Sequence, residues 1–533
     1  MTILNEKIVQ LESGINKIWH KTDANRWIWL IFAGICLNLL YQLCLSPVFY
    51  RDSTVYYQMA QNFALGNWSD AFALHLPVLF PTLAGILVCC GIPSMPAMLL
   101  TSGLFYAATV FPLFHVLRRF FTDKQAVIGV LLFALNYDIA SSCCAPLLDC
   151  GRLFFMISAC ALIFGDDAFS WKRLCLLGIC CGALALVRGE GVVLAGMVIA
   201  AHFVFLRCNY HKSIAHSFLR ILISGSVMSI VCLPRLWQFY CETGIPALEI
   251  RQVNAFAQAW GHFFPEHSFA VSRYAFAGGN DMNISSGGFF SNTRFYKNFL
   301  DGFFIPYLPF TILGCIAVIR ERKWNFKHSL LLALFGAYNL FHFVIQASAG
   351  RYFIINCFFA LPLTTYGVIK LSQFLCQHPV VWRRLAILAT AVIAGILIYK
   401  SFSFADLRYK KEFKKYANVL HQKIPKQVNL LVVGADRGSG YYLNANVCLY
   451  QDYPYGLESR IPLQSVLTQG IDSGEMSYKH TKEMKSPVFF DAILVSNSSR
   501  KRLESNLPHI FSEKNILCTG RKYTLYSNPS NNQ

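Results

Sequence analysis

The chain has 533 residues, of which 55% are hydrophobic and only 14% charged. An ordinary soluble domain is about 25% charged, so a water-soluble enzyme, a disordered tail and a disulfide-rich secreted module are excluded. What remains is a multi-span α-helical membrane protein. The 47 Lys+Arg against 28 Asp+Glu give a charge of +19. These cations fall between apolar runs, the pattern of membrane topology signals, and no nucleic-acid partner is expected.

Taken in chain order, apolar runs predict about 11 transmembrane helices: 27–48, 95–117, 125–136, 152–164, 174–187, 192–206, 221–236, 303–319, 329–345, 353–374 and 385–399. Several fall short of ~20 residues and need polar flanks or a thin bilayer. With the N-terminus inside, the inner segments carry Lys21, Arg118, Lys172, Lys212, Arg320 and Arg383 among others. The short outer ones hold Arg51, Arg152, Arg188 and Arg351. This bias sets the orientation. A further apolar run, 77–90, carries Pro77 and Pro81 and is read as a re-entrant or interfacial segment covered by protein.

The organisation expected is a cytoplasmic segment 1–26, a transmembrane body 27–400 with outer loops 49–94 and 237–302, and a soluble tail 401–533 on the outer side. The tail loses its long apolar runs, and the short runs 428–433, 488–495 and 522–526 read as strands of a small C-terminal α/β domain. Gly434 to Gly440 lacks the ending of a phosphate loop and reads as a turn. Cys448 and Cys518 lie on the outer side, where pairing is an open alternative. The remaining cysteines, many within apolar runs, act as small hydrophobes.

Charges at a membrane edge are costly and call for a reason, and four clusters fall on the outer side. Arg51-Asp52 follows the first span and opens an amphipathic stretch in which Val55, Met59 and Phe63 recur at helical spacing beside Tyr56 and Ala60. That stretch is expected to lie on the membrane as a helix ending at Gly66. Asp52 suits both a helix cap and a catalytic carboxylate. His75-Leu76-Pro77 opens the proline-bounded segment. Asp149 and Arg152, three apart, suit an ion pair on one helical face. Arg188-Gly189-Glu190 joins two spans with almost no loop, either as a turn with an internal ion pair or as part of a site. Arg351-Tyr352 opens the tenth span, where both residue types are also common interfacial anchors.

At these residues the chain resembles the GT-C superfamily of polytopic glycosyltransferases, most of all the bacterial protein-mannosyltransferase and aminoarabinose-transferase type. The resemblance rests on Arg51-Asp52 with Tyr56 and Tyr57, on His75-Leu76-Pro77, on Arg188-Gly189-Glu190-Gly191 and on Arg351-Tyr352. Gly189 stands where the family often has Pro, Ser53 where many members have a second acid, and His75 where Lys is common in some.

The resemblance implies transfer of a sugar from a polyprenyl-phosphate donor to an acceptor hydroxyl, with inversion, on the extracytoplasmic face. Asp52 would be the base, with Asp149 a second catalytic candidate. His75, Arg188, Glu190, Arg351, Tyr352, Arg51 and Tyr56 would line the substrate site. No metal and no cofactor are expected. The partners would be the lipid-linked sugar, the bilayer, and an acceptor protein, lipid or glycan, and the location a bacterial inner membrane. The competing readings are a transporter and a non-catalytic scaffold or sensor. A transporter favours ionisable residues at midplane and internal repeats, and neither is evident here.

Overall fold

The computed structural model describes residues 22–45, 51–72, 76–143, 148–165, 170–249, 305–344 and 350–377 of the helical body, and 415–420, 429–433, 446–449, 490–508, 510–519 and 523–527 of the tail, with a few isolated residues besides. In the body these form α1 (Ala24–Leu45), α2 (Arg51–Ala64), α3 (Leu79–Cys89), α4 (Ser94–Leu117), α5 (Asp123–Ala134), α6 (Tyr137–Cys143), α7 (Asp149–Ile163), α8 (Trp171–Val187), α9 (Gly191–Tyr210), α10 (Ile214–Thr243), α11 (Leu308–Arg320), α12 (Phe326–Val344) and α13 (Ile355–Gln377). The first ten predicted spans each fall on one of these helices. The eleventh, 385–399, lies outside the described residues except for residue 395.

By length and composition, five of the described helices are able to cross a membrane: Ala24–Leu43, Ser94–Leu117, Gly191–Tyr210, Ile214–Thr243 and Tyr352–Leu375. Others are shorter than the expectation of eleven full spans requires. The 12 residues of α5 and the 15 of α7 reach about 18 and 22 Å at 1.5 Å per residue, short of a ~30 Å hydrocarbon core. The 11-residue α3 is shorter still and buries Phe80, Pro81, Ala84 and Gly85 against protein.

Two helix pairs approach backbone to backbone. In α11 and α13, a Cβ on Gly314 would meet the Leu363 carbonyl oxygen at 1.8 Å and one on Gly367 the Phe310 carbonyl oxygen at 1.9 Å. The Thr311 and Thr364 hydroxyls bond across the same contact at 2.7 Å. In α8, Gly178 admits Ser224 and Val227 of α10. Small residues of this kind let helices pack where lipid tails offer no hydrophobic drive. The outward face of α10, with Ile230, Leu233 and Trp237 exposed, is left for lipid.

The predicted surface helix exists as α2, but its apolar side is covered by protein. Tyr56, Met59 and Ala60 are buried with Phe80 and Ala84 of α3 and Met98 of α4. It ends at Gly66 with φ +75°, and Asn67 N–H bonds the Asn62 carbonyl at 2.9 Å, a left-handed glycine cap. Asp52 is the second residue of this helix, inside its first turn and not at the cap position.

The tail holds a five-stranded sheet of β1 (Asn429–Val433), β2 (Asn446–Leu449), β3 (Ala492–Ser496), β4 (Ile516–Thr519) and β5 (Tyr523–Ser527), in the order β2-β1-β3-β5-β4. β1 pairs in parallel with β2 and β3, and β5 runs antiparallel to β3 and β4. Leu431, Val433, Ile493 and Val495 pack on one face with Leu503 of the helix α14 (Asn497–Asn506), and Leu430, Val432 and Leu494 on the other with Tyr416 and Leu420. Apolar residues on both faces make these strands near-continuous apolar runs. Gly434–Gly440 lies outside the described residues. Cys448 on β2 and Cys518 on β4 occupy opposite edges, four strand spacings or about 19 Å apart. A disulfide needs Cα atoms within ~7 Å, so the two do not pair, and Cys518 is a free thiol. Tyr57 of α2 packs against the Tyr416–Leu430 face, which places the sheet domain beside α2.

Candidate active site

Three helix ends converge on one buried cluster of charge. α7 starts at Asp149, where the helix dipole favours an anion, and presents Arg152 one turn later. α8 ends at Val187, Arg188 turns out in an extended conformation, and Glu190 precedes α9. This turn is tight because Gly191 lies against the Leu184 carbonyl oxygen, 1.9 Å from where a Cβ would stand. α12 brings Tyr338 and His342, and the turn before α13 brings Tyr352.

Arg152 is fully buried. Its Nη1 donates to Glu190 Oε1 and to Tyr338 Oη, each at 2.9 Å, and its Nη2 to Asp149 Oδ1 at 3.2 Å. Arg188 bonds the same two carboxylates, Asp149 through Nη1 and Glu190 through Nε. Its guanidinium lies over the Tyr352 ring, 4.5 Å from the centroid, and Tyr338 Oη donates to the Tyr352 carbonyl at 2.5 Å. Among the described residues two cations thus face two anions and the cluster is neutral, the condition for holding charges out of water. Burial pushes the Glu190 carboxyl up, but Arg188 and Arg152 outweigh it and hold it at about 2, so it is ionised throughout the physiological range.

Three groups have capacity to spare. Asp149 Oδ2 has no hydrogen-bond partner, and no hydrogen bond to Arg188 Nη2 is found among the described residues. His342 is buried, stacked on Tyr352 at 5.6 Å and edge-on to Tyr338 at 4.4 Å, with both ring nitrogens unbonded. Buried polar atoms without partners are rare and cost about 1–3 kcal/mol each. Their concentration here marks a place where a polar ligand fits. The Asn339–Asn356 amide pair, bonded reciprocally at 3.0 Å, fixes α12 to α13 and so fixes Tyr338 and His342.

The segments around α2 and α3 are tied to this cluster. Leu148 and Val187, the chain neighbours of Asp149 and Arg188, pack with Tyr56, whose ring meets Phe80 edge-on at 5.9 Å. Arg235 of α10, buried, donates to the carbonyls of Phe72 and Leu248 at 2.8 Å and of Leu76 at 3.4 Å. It thereby clamps both ends of the segment that carries His75. Gln252 Nε2 donates to the Gly189 carbonyl at 3.1 Å, and a Cβ on residue 189 would stand 1.6 Å from Glu249 Oε1. The sequence thus has glycine where proline was the family expectation, and a larger residue there requires the Glu249 side chain to move.

Of the residues singled out in the sequence, Asp149, Arg188, Glu190 and Tyr352 come together, and Tyr56 packs beside them as a buried aromatic. His75 and the side chains of Arg51, Asp52 and Arg351 lie outside the described residues; Asp52 is four residues before Tyr56 on α2. Arg152 proves to be more than a helical partner of Asp149. Tyr338, His342, Arg235 and Glu249 were missed, although polar and ionisable side chains inside apolar runs are themselves a signal.

The chain matches no family model and no curated protein by sequence. Solved structures do resemble it. ArnT from Cupriavidus metallidurans bound to undecaprenyl phosphate aligns over 95% of this chain and 98% of its own, with TM-score 0.61 and 14% identity. The Archaeoglobus fulgidus oligosaccharyltransferase in its apo form aligns over 92% of this chain and 72% of its own, with TM-score 0.53 and 13% identity. At such identities the likeness is one of fold: a helical membrane body with a small domain appended.

Proposed function

We propose that this protein is an integral membrane glycosyltransferase that moves a sugar from a polyprenyl-phosphate donor to an acceptor hydroxyl, with inversion, on the extracytoplasmic face of a bacterial inner membrane. The observation that carries this reading is the neutral cluster Asp149–Arg152–Arg188–Glu190, buried at helix ends beside the first outer loop. It belongs to a fold that in ArnT is bound to undecaprenyl phosphate.

The chemistry asks little of the protein in the way of leaving-group activation. The acceptor oxygen attacks the anomeric carbon, the carbon–oxygen bond to the phosphate breaks, and the lipid phosphate leaves with the electron pair. The acceptor proton passes to Asp52, acting as general base. Negative charge grows on the phosphate, and preorganised donors aimed at it lower the barrier. Arg188, with Nη2 uncommitted among the described residues and its other nitrogens anchored, suits that task, with Arg351, His75 and Arg51 as further phosphate contacts. Asp149, fully buried between two guanidinium groups, is better suited to holding them in place than to taking a proton. Tyr352 supports Arg188 from below.

Asp52→Asn should abolish transfer from a polyprenyl-phosphate sugar in membranes while leaving the chain inserted and its yield unchanged. Undiminished transfer by that variant would remove Asp52 as the base.

A further inference from the structure

At the other end of the helical body lies a cleft of about 500 Å³. The α4–α5 corner lines it with Arg118, Arg119 and Phe121, the α11–α12 turn with Lys323, and α13 with Tyr366 and Lys370. α4 runs from Met98, packed with Leu148 and Val187 beside the ion cluster, to Arg118 at the cleft, twenty residues or about 30 Å at 1.5 Å per residue. The cleft and the ion cluster therefore belong to opposite membrane faces.

Among the described residues its charges do not cancel. Lys323 and Lys370 share one carboxylate, Glu321, at 2.9 and 2.6 Å, and Tyr366 Oη donates to that carboxylate at 2.6 Å. Hydrogen bonds from Lys370, Tyr366 and Lys323 hold the Glu321 carboxyl at about 2. Arg118 pairs with Asp123 at 2.8 Å, and Arg119 contacts His115 at 3.3 Å. Among the described residues Arg118, Lys323 and Lys370 thus face two carboxylates, Asp123 and Glu321. Arg118 and Lys323 stay open to solvent, with 44% and 58% of their side chains exposed. The wall between them is apolar and aromatic: Phe121 stacks on Tyr366 at 6.3 Å, and Ile369 is buried.

We infer that this cleft binds the phosphate headgroup of an anionic phospholipid in the leaflet opposite the ion cluster. A phosphate oxygen takes charge-assisted bonds from guanidinium and ammonium groups alike. Basic pockets between helix ends are where anionic headgroups collect. The cleft sits at the ends of α4 and α11, against the side of α13, with a tyrosine of the kind common at headgroup level. A soluble phosphate would meet the same charges but gain nothing from the Phe121–Ile369 wall. This inference does not depend on the proposed transfer reaction.

The test uses the full chain in detergent, titrated with phosphatidylglycerol or phosphatidylcholine and read by native mass spectrometry. Arg118→Gln/Lys323→Gln, both exposed side chains, should weaken phosphatidylglycerol binding about thirty-fold and leave phosphatidylcholine unchanged. Glu321→Gln, which releases two lysines from their shared carboxylate, should tighten phosphatidylglycerol binding about five-fold. A folding defect does not produce changes of opposite sign. The inference is overturned if phosphatidylglycerol binds no better than phosphatidylcholine, or if all three proteins bind it alike. It is also overturned if inorganic phosphate at the lipid's concentration displaces it.

Discussion

Arg152 offers the sharpest test of the buried cluster, because its removal changes the charge balance in a countable way. The wild-type cluster is neutral, with Arg152 and Arg188 against Asp149 and Glu190. Arg152→Met is close in length, deletes three hydrogen bonds made within the described residues and leaves one negative charge in excess among them where the side chain is wholly buried. Breaking a buried pair from one side costs about 3–5 kcal/mol. Adding Glu190→Gln restores neutrality, since Arg188 and Asp149 then remain as one pair and the glutamine oxygen still accepts from Arg188. The double variant should therefore be more stable than Arg152→Met alone, with a coupling of about 2 kcal/mol or more. The four proteins of this cycle are to be compared by the fraction that survives heating as a monodisperse peak in detergent size-exclusion. If Arg152→Met melts with the wild type, or if the two single losses simply add, the neutral-cluster argument is wrong.

Further outcomes follow from the same geometry. Glu190 is held at about 2 against an ordinary 4.5. A depressed carboxyl contributes its stability above the unfolded value and loses it as pH falls toward the folded one. The difference in melting temperature between wild type and Glu190→Gln should thus be flat above pH 5 and shrink below 4.5; a difference that grows on acidification would contradict the assignment. Gly189→Ala should lower the yield of folded protein, because its Cβ overlaps Glu249, and Glu249→Ala in the same chain should recover much of it; no recovery would place the strain elsewhere. His342→Phe keeps the aromatic stack and removes two unbonded ring nitrogens, so its melting temperature should equal or exceed that of the wild type, and a marked fall would reveal a partner for the imidazole.

The parts of this architecture that were readable in the sequence are those where one constraint overrides all others. A bilayer demands apolar runs, and the first ten runs all became helices. Their ends were less readable: α10 extends to Ile214–Thr243 around a predicted run of 221–236, because Ser213 caps it early through His216 N–H and Gly244 ends it late at φ +73°. In the tail, β1, β3 and β5 announced themselves by apolar density. β2 and β4 are edge strands of four residues whose existence depends on pairing with β1 and β5, which no local pattern records. At the site, Arg188-Gly189-Glu190 was conspicuous as charge between two spans without a loop. Arg152 looked like half of an i, i+3 pair, since its reach to Glu190 and Tyr338 is tertiary. Tyr338 and His342 were hidden in the apolar run of α12, where aromatic rings pass for core.

The central claim is that a polyprenyl phosphate occupies the region of the ion cluster and that Asp52 consumes its sugar. The most direct measurement is mass spectrometry of the lipids that co-purify with the full chain from its own membranes. Wild type should carry polyprenyl phosphate mostly without its sugar, Asp52→Asn should retain the sugar-bearing form because it binds the donor without using it, and Arg188→Met should carry neither. Polyprenyl phosphate absent from both wild type and Asp52→Asn, or retained undiminished by Arg188→Met, would contradict the account.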